Sequence, residues 1–304
     1  MDEATRSGIG GTIGRIGALL CVTGLVSAAQ TPVAFDSTRA YAHVREQVAL
    51  GPRPAGSPAN VKTREYIIKT LAASSYKAVE QSFEATTPVG PVRMTNITAT
   101  LPGERADRIV LASHFDTKPV EEFRFVGAND GGSSTAALLE LARVLKARPR
   151  PRATIEFLFF DGEEAWGEWR DPNHTYGSRH YVTAARAAGT LDSLKALILL
   201  DMIGDRSLNL RRDTNSTPWL TDIVWATARR LGHGAHFLDD PFPVEDDHIP
   251  FLKAGVPSVD LIDLDYAAWH TAADTLDQVS ARSLQVVGEV VLAALPEIEA
   301  RLLK

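Results

Sequence analysis

Apolar positions along the chain switch between a helical and a strand period, and turn-forming residues mark the switches. Over residues 36–50 they recur as Ala40, Val44 and Val48, a helical spacing with Asp36 or Ser37 placed to cap the first turn. The run Gly51-Pro-Arg-Pro-Ala-Gly-Ser-Pro58 then interrupts any regular element. The pattern predicts a second helix over 60–74, strands over 79–83 and 94–101, and a short buried strand over 108–113 that ends in His114-Phe115-Asp116. A glycine-rich turn at 127–134 feeds a helix over 134–147, with Leu138, Leu141, Val144 and Leu145 on one face. Residues 154–160 are an apolar, aromatic run of strand length, as expected for a strand buried on both faces. There follow a helix over 176–188, a buried strand over 196–200 that ends in Asp201, and a helix over 218–231. A loop over 239–248, a strand over 258–262 and a helix over 281–303 complete the pattern. Strands alternating with helices predict an α/β fold: a single domain with a central mixed, mostly parallel β-sheet flanked by helices on both faces. We place that domain at residues 30–304.

The first residues follow a different logic. Arg6 and Arg15 precede an apolar stretch from Ile16 to Val26, and Ser27-Ala28-Ala29 supplies small residues after it. That is the order of a secretory signal peptide at residues 1–29, cleaved near Ala29, and it predicts a periplasmic or secreted protein. Retention of the segment as a membrane anchor is the alternative. Cys21, the one cysteine, lies inside it, so the mature chain has no thiol and any metal must be held by His, Asp and Glu. Hydrophobic residues at 44% and charged residues at 23% are ordinary for a globular protein. A net charge of -6 without basic runs gives no reason to expect nucleic acid or an anionic membrane as partner, and a monomer is the simplest expectation.

Predicted strands end in groups able to bind metal or move protons: His114 with Asp116, Glu163-Glu164 beyond Asp161-Gly162, Asp201, and Trp269-His270-Thr271. Chemistry in open α/β sheets collects beyond the carboxyl ends of strands. Gly162 lets the backbone turn sharply where its strand stops. Adjacent carboxylates beside apolar residues either stay solvated, or one is held by a cation while the other moves protons. We read Glu164 as a metal ligand and Glu163 as the acid/base. Asp130 adds a further position at the start of a helix, where it also suits a cap. Ordinary roles exist for the rest: His114 as a hydrogen-bonded core histidine, Asp201 as a turn former, Trp269-His270 as packing. Taken together they match the imidazole and carboxylate ligands of zinc, which keeps an open position when catalytic. Asp130, Glu164 and His270 make a one-His, two-carboxylate set, and His114 with Asp201 would complete a second site.

The stretch from Asp161-Gly-Glu-Glu to Trp169, followed by Tyr176-Gly-Ser-Arg-His180, resembles the glutaminyl-peptide cyclotransferases (glutaminyl cyclases). So do Leu200-Asp201-Met-Ile-Gly204, Asp246-Asp-His-Ile-Pro-Phe-Leu252 with Gly255-Val-Pro257, and Trp269-His270-Thr271, in order over residues 36–290. The resemblance implies the zinc aminopeptidase-like fold, which agrees with the period-based reading. It implies cyclisation of the N-terminal Gln of peptides or proteins to pyroglutamate, with release of ammonia. It further implies one catalytic zinc on Asp130, Glu164 and His270, Glu163 as proton shuttle, and Asp201 and Asp246 in a hydrogen-bonded acid network. Trp169 and Trp269 would border the substrate pocket. The glycine-rich turn and the bare Glu-Glu pair are shared with di-zinc aminopeptidases, so hydrolysis of N-terminal residues, with a second zinc on His114 and Asp201, is the alternative. A peptide-binding protein with a degenerate site is a third class, but no ligand of the set is missing. The chain departs from the family at two places. Animal members carry a His where this chain has Asp260, and they have a disulfide where it has Ser113 and Thr135. Asp247 and His248 flank a predicted helix start, where capping is as good an account as function. Trp166, Trp219 and Trp225 are read as core.

Overall fold

The computed structural model describes residues 1, 3–5, 7–11 and 33–303. The apolar stretch from Ile16 to Val26, with Cys21 and the cleavage position at Ala29, lies outside the described residues. From residue 33 onward the chain runs α1 (Ser37–Leu50), α2 (Pro58–Ala73), β1 (Ala78–Thr87), β2 (Gly90–Leu101), β3 (Arg105–His114), α3 (Gly132–Lys146), β4 (Ala153–Phe160) and α4 (Tyr176–Ala187). It continues β5 (Leu194–Asp201), β6 (Leu210–Asp213), α5 (Pro218–Arg230), β7 (Phe237–Phe242), α6 (His248–Lys253), β8 (Ser258–Ile262) and α7 (Ala281–Leu302). Asp36 caps α1 by accepting from the backbone N–H of Thr38 and Arg39. Ser57 caps α2, where Pro58 takes the first helical position, which needs no donor.

The main sheet has the order β1-β2-β4-β3-β5-β8. β1, β2 and β4 pair antiparallel, whereas β4-β3, β3-β5 and β5-β8 pair parallel. Side chains on the parallel strands alternate between two cores. Ile109, Leu111, Phe157, Ile198 and Leu261 face one side, with Leu138, Val224 and Val287 of α3, α5 and α7. Val110, Ala112, Leu158 and Leu199 face the other, with Tyr181 of α4 and Phe251 of α6. Burial on both faces is why these strands read as continuous apolar runs in the sequence. α3 is buried along nearly its whole length, so its apolar stripe broadens into a run of small and aliphatic residues. Where the family resemblance places a disulfide, Ser113 Oγ and Thr135 Oγ1 stand 3.1 Å apart and hydrogen-bond β3 to α3.

The fold differs from the sequence expectation at three strands. Residues 239–248 are not one loop. Phe237–Phe242 is a strand that pairs in parallel with the equally unexpected Leu210–Asp213. Both lack an apolar alternation. Ion pairs of Arg212 with Asp239 and Arg211 with Asp240 tie this small sheet together instead. β1 also runs on to Thr87 as a full hairpin with β2.

One turn sets up everything beyond β4. Gly162 has φ +74, and a Cβ there would lie 2.4 Å from Met94 Sδ. Gly162→Ala is therefore expected to destabilise the fold by about 1–3 kcal/mol, through left-handed strain and the clash. Thermal unfolding would show this, and an unchanged melting temperature would contradict it.

Candidate metal centre and pocket

Because β3, β4, β5 and β8 run parallel, their carboxyl ends lie along one edge, and the loops that leave them meet there. β3 delivers His114 and Asp116, the turn after β4 delivers Glu163 and Glu164, and β5 ends on Asp201. The loop after β8 carries His270, and the turn before α3 carries Asp130.

Asp130, Glu164 and His270 converge. His270 Nε2 is 3.4 Å from Asp130 Oδ2 and 3.3 Å from Glu164 Oε2. With zinc–ligand bonds of about 2.0–2.1 Å, the edges of a tetrahedral site are about 3.3–3.4 Å, so these spacings suit zinc. Among the described residues, Asp130 Oδ2 and both Glu164 oxygens are buried without a hydrogen-bond partner, with the Lys118 ammonium 3.8 Å from Glu164 Oε2. Such oxygens are costly to bury unless a cation meets them. Capping does not account for Asp130, because the N-cap position of α3 is Gly131, in the left-handed region and with no side-chain cap bond. Burial, joined by the Asp130 charge, pushes the Glu164 carboxyl up to about 7. Burial acts against the His270 imidazolium, but Asp130 and Glu164 outweigh it and lift its pKa to about 9. His270 and Met202, the residue after Asp201, both have positive φ (51 and 45). Each adopts a conformation that costs a non-glycine residue about 1–2 kcal/mol, which marks strain held beside the cluster.

A second set shares Asp130. His114 Nε2 lies 3.4 Å from Asp130 Oδ1 and 3.1 Å from Asp201 Oδ1. The other ring nitrogen, Nδ1, lies 3.5 Å from Asp116 Oδ1 and 3.6 Å from Glu163 Oε2. Burial opposes a charge on His114, but Glu163 and Asp201 outweigh it and hold its pKa well above the usual histidine range.

Glu163 is buried yet lines the adjoining cavity. Asp116 fixes the pair from behind: its carboxylate accepts from the backbone N–H of Glu163 at 3.2 Å and of Glu164 at 3.3 Å. Glu163 then faces the hollow while Glu164 faces His270. Burial raises the Glu163 pKa well above the ordinary value, with Glu164, Asp246 and Asp247 adding to the rise and His114 opposing it. The Asp246 carboxyl is pushed up to about 7 by burial and by Asp201.

The cavity has a volume of about 410 Å³. Asp130, Glu163, Glu164, Asp201, Asp246 and His270 contribute to its wall, as do Trp169 and Trp269. Trp169 is 37% exposed and stacks on His174 at 4.2 Å, and Trp269 is 45% exposed and stacks on His270 at 4.4 Å. Their exposure separates them from Trp225, which is fully buried. Trp166 packs edge-on to Tyr176, and Trp219 packs against the main core.

Asp247 and His248 do not cap α6. Asp247 makes no side-chain cap bond and accepts from Ser178 Oγ instead. His248 is fully buried, with Nε2 3.1 Å from Asp213 Oδ2 and Nδ1 3.7 Å from Asp260 Oδ2. Among the described residues both Asp260 oxygens are buried without a hydrogen-bond partner, and burial together with Asp246 raises its pKa well above the ordinary value. Asp260 thus extends the acid cluster behind Asp246. Sequence reasoning had no signal for Asp213, which sits in a strand it did not predict. It also missed Asp274, whose Asp-Thr setting reads as an ordinary loop.

Comparison with known proteins gives this geometry a family. Residues 96–295 match the profile described as Peptidase family M28. The mouse "Glutaminyl-peptide cyclotransferase-like protein" is 35% identical over 254 residues, which cover 73% of this chain and 66% of that protein, just under two thirds. Among solved structures, a glutaminyl cyclase of an Acidobacteriales bacterium aligns with TM-score 0.86 and 41% identity, over 90% of this chain and 99% of that one. A leucine aminopeptidase precursor from Bacteroides thetaiotaomicron aligns with TM-score 0.81 and 28% identity, over 87% and 98% of the two chains. The chain belongs to peptidase family M28 and, within it, to the glutaminyl-peptide cyclotransferases.

Proposed function

We propose that this protein is a zinc-dependent enzyme that cyclises the N-terminal Gln of peptides or proteins to pyroglutamate and releases ammonia. One observation carries the proposal. A carboxylate outside the ligand set, Glu163, shares a 410 Å³ hollow with Asp130, Glu164 and His270, of which Asp130 Oδ2 and both Glu164 oxygens are buried with no hydrogen-bond partner among the described residues. Zinc held by these three residues would act as a Lewis acid toward the side-chain amide oxygen of the substrate.

The protein's own groups handle positioning and protons. A free α-amino group has a pKa of about 7.7–8.0, so at neutral pH it is mostly protonated and needs a base to become a nucleophile. Glu163 takes that proton. The amine nitrogen bonds to the side-chain amide carbon, Glu163 returns the proton to the leaving nitrogen as the carbon–nitrogen bond to ammonia breaks, and the carboxylate so freed takes the surplus proton from the ring nitrogen and passes it to the released ammonia. Burial raises its pKa above the ordinary carboxylate range, which makes it a stronger base than a solvated glutamate and able to carry the proton between the two nitrogens. Asp201 and Asp246, on the same wall, hold the amine. Trp169 and Trp269 enclose the glutaminyl side chain with large apolar faces and keep water from competing.

A second reading has support of its own. His114, Asp130 and Asp201 form another candidate set, and a fold neighbour is named a leucine aminopeptidase precursor. In that reading a second zinc joins the first and Glu163 activates water. A paired assay with zinc counting separates the two. We expect ammonia release from a Gln-initiated peptide, no cleavage of an aminoacyl anilide, and one zinc per chain. Anilide cleavage with two zincs per chain would establish the peptidase instead.

Under this proposal the segment over residues 1–29 directs export to the periplasm or medium, and the domain over 30–304 works as a monomer. Among the described residues no helix is long and apolar enough to cross a membrane.

A further inference from the structure

The run Gly51-Pro-Arg-Pro-Ala-Gly-Ser-Pro58 plays no part in the chemistry above, yet Arg53 within it is fully buried. Among the described residues its guanidinium donates to backbone carbonyls only. Nε bonds Phe115 O at 2.7 Å, Nη1 bonds Val126 O, and Nη2 bonds Gly127 O at 2.8 Å and reaches Asp130 O at 3.5 Å. Those carbonyls belong to the two segments that carry Asp116 and Asp130. The main chain of Arg53 is pinned as well, with its N–H on Thr117 Oγ1 and its carbonyl accepting from Asn60 Nδ2.

The glycines around it make this close approach possible. A Cβ at Gly127 would lie 2.4 Å from Asp130 O, and one at Gly132 would lie 2.6 Å from Gly127 O and 3.4 Å from Arg53 Nη2. Gly127 and Gly131 take φ values of +51 and +73, which turn their carbonyls to the positions seen. The glycine-rich turn therefore cradles a guanidinium. From the opposite end Asp274 holds the same turn. Its Oδ1 accepts from Asn129 N at 2.8 Å and from the Tyr266 hydroxyl at 2.7 Å, and its Oδ2 accepts from Asp130 N at 3.1 Å. Asp274 lies in the same loop as His270, so it joins the segments of two converging side chains.

We infer that Arg53 and Asp274 clamp the main chain of Asp130 from opposite ends and so preorganise the metal centre; they are positioning residues, and the inference rests on the metal assignment above. Without the clamp, Asp130 must be ordered at the moment of binding, and that entropy comes out of the affinity. A lysine at position 53 keeps a charge but offers one point of donation where the guanidinium offers a planar fork across four carbonyls. Arg53 also supplies a fixed positive charge under the site. Burial draws its pKa down to about 10, still a cation at neutral pH, while Asp274, Asp130, Asp116 and Glu164 pull the other way.

The test is zinc affinity, measured by competition with a chelator on wild-type protein and on Arg53→Lys. Near-ultraviolet circular dichroism in excess chelator first establishes that each apo-protein is folded at the working temperature. Groups that orient ligands typically contribute about 10–100-fold to metal affinity, and a loss of that size is expected here. If Arg53→Lys does not fold, Asp274→Asn carries the same expectation, because it turns an amide donor toward the Asp130 N–H and leaves the guanidinium alone. A folded variant with wild-type zinc affinity would overturn the inference. A loss of affinity supports it whatever reaction the loaded enzyme performs. Wild-type protein that takes up no zinc would overturn the metal assignment and the clamp together.

Discussion

Replacing Glu163 with Gln is expected to lower kcat on a Gln-initiated peptide by about 10²–10⁴-fold while zinc binding stays at the wild-type level, because general acid/base help contributes on that order. Gln keeps the volume and an acceptor oxygen but cannot carry the proton between the amine and the leaving nitrogen. The zinc level should survive because Glu163 lies outside the set formed by Asp130, Glu164 and His270. Asp116 holds both glutamates through their main chain, so the exchange at residue 163 leaves Glu164 in place. Steady-state kinetics with parallel zinc analysis decides the matter. Near-normal turnover would remove Glu163 from the mechanism, and loss of zinc together with activity would make it a ligand instead.

Stripping the metal is the second large effect. Activity should vanish on dialysis against a chelator and return with one equivalent of zinc. Stability should move with it, since a ligand present at 100 times its Kd stabilises by about 2.7 kcal/mol. For a domain of this size that is a fall in Tm of about 5–10 °C on removal. The same argument gives a pH dependence. The Glu164 carboxyl, pushed up to about 7, is protonated below that pH and then competes with metal. His270, lifted to about 9, must also lose its proton to bind, so zinc affinity is complete only above about pH 9 and weakens as pH falls through about 9 and then about 7. Isothermal titration across pH 5–8 would reveal the slope. Full activity in zinc-free protein would end the metal reading.

Much of the architecture could be read from local pattern. Strands β4, β5 and β8 lie where their apolar runs put them, and α1, α3 and α7 where the helical spacing does. Such runs are legible because burial on two faces demands apolar residues regardless of what packs on them. The acids and histidines at the strand ends stood out for the matching reason, as charged groups directly after apolar ones. β6 and β7 were not legible, since ion pairs between distant residues hold them and their own sequence looks like loop.

The sequence by itself determined the elements of the main sheet and the helices on it, though not β6 and β7, where the parallel strands end, and that His114, Glu163, Glu164, Asp201 and His270 leave those ends. Tertiary structure alone decided which of these groups meet and what each one faces. Asp130 looked equally suited to capping α3. It turns into the cluster because Asp274, 144 residues away, takes its backbone N–H, while Arg53, 77 residues before it, draws the carbonyl side of the turn. The physical reason is that a buried polar group must find partners, and in a folded core those partners come from whatever the chain topology brings within reach. Local spacing says that Asp130, Arg53 and Asp274 are polar. Only the strand order and the crossing of three loops at one edge say to whom they bond.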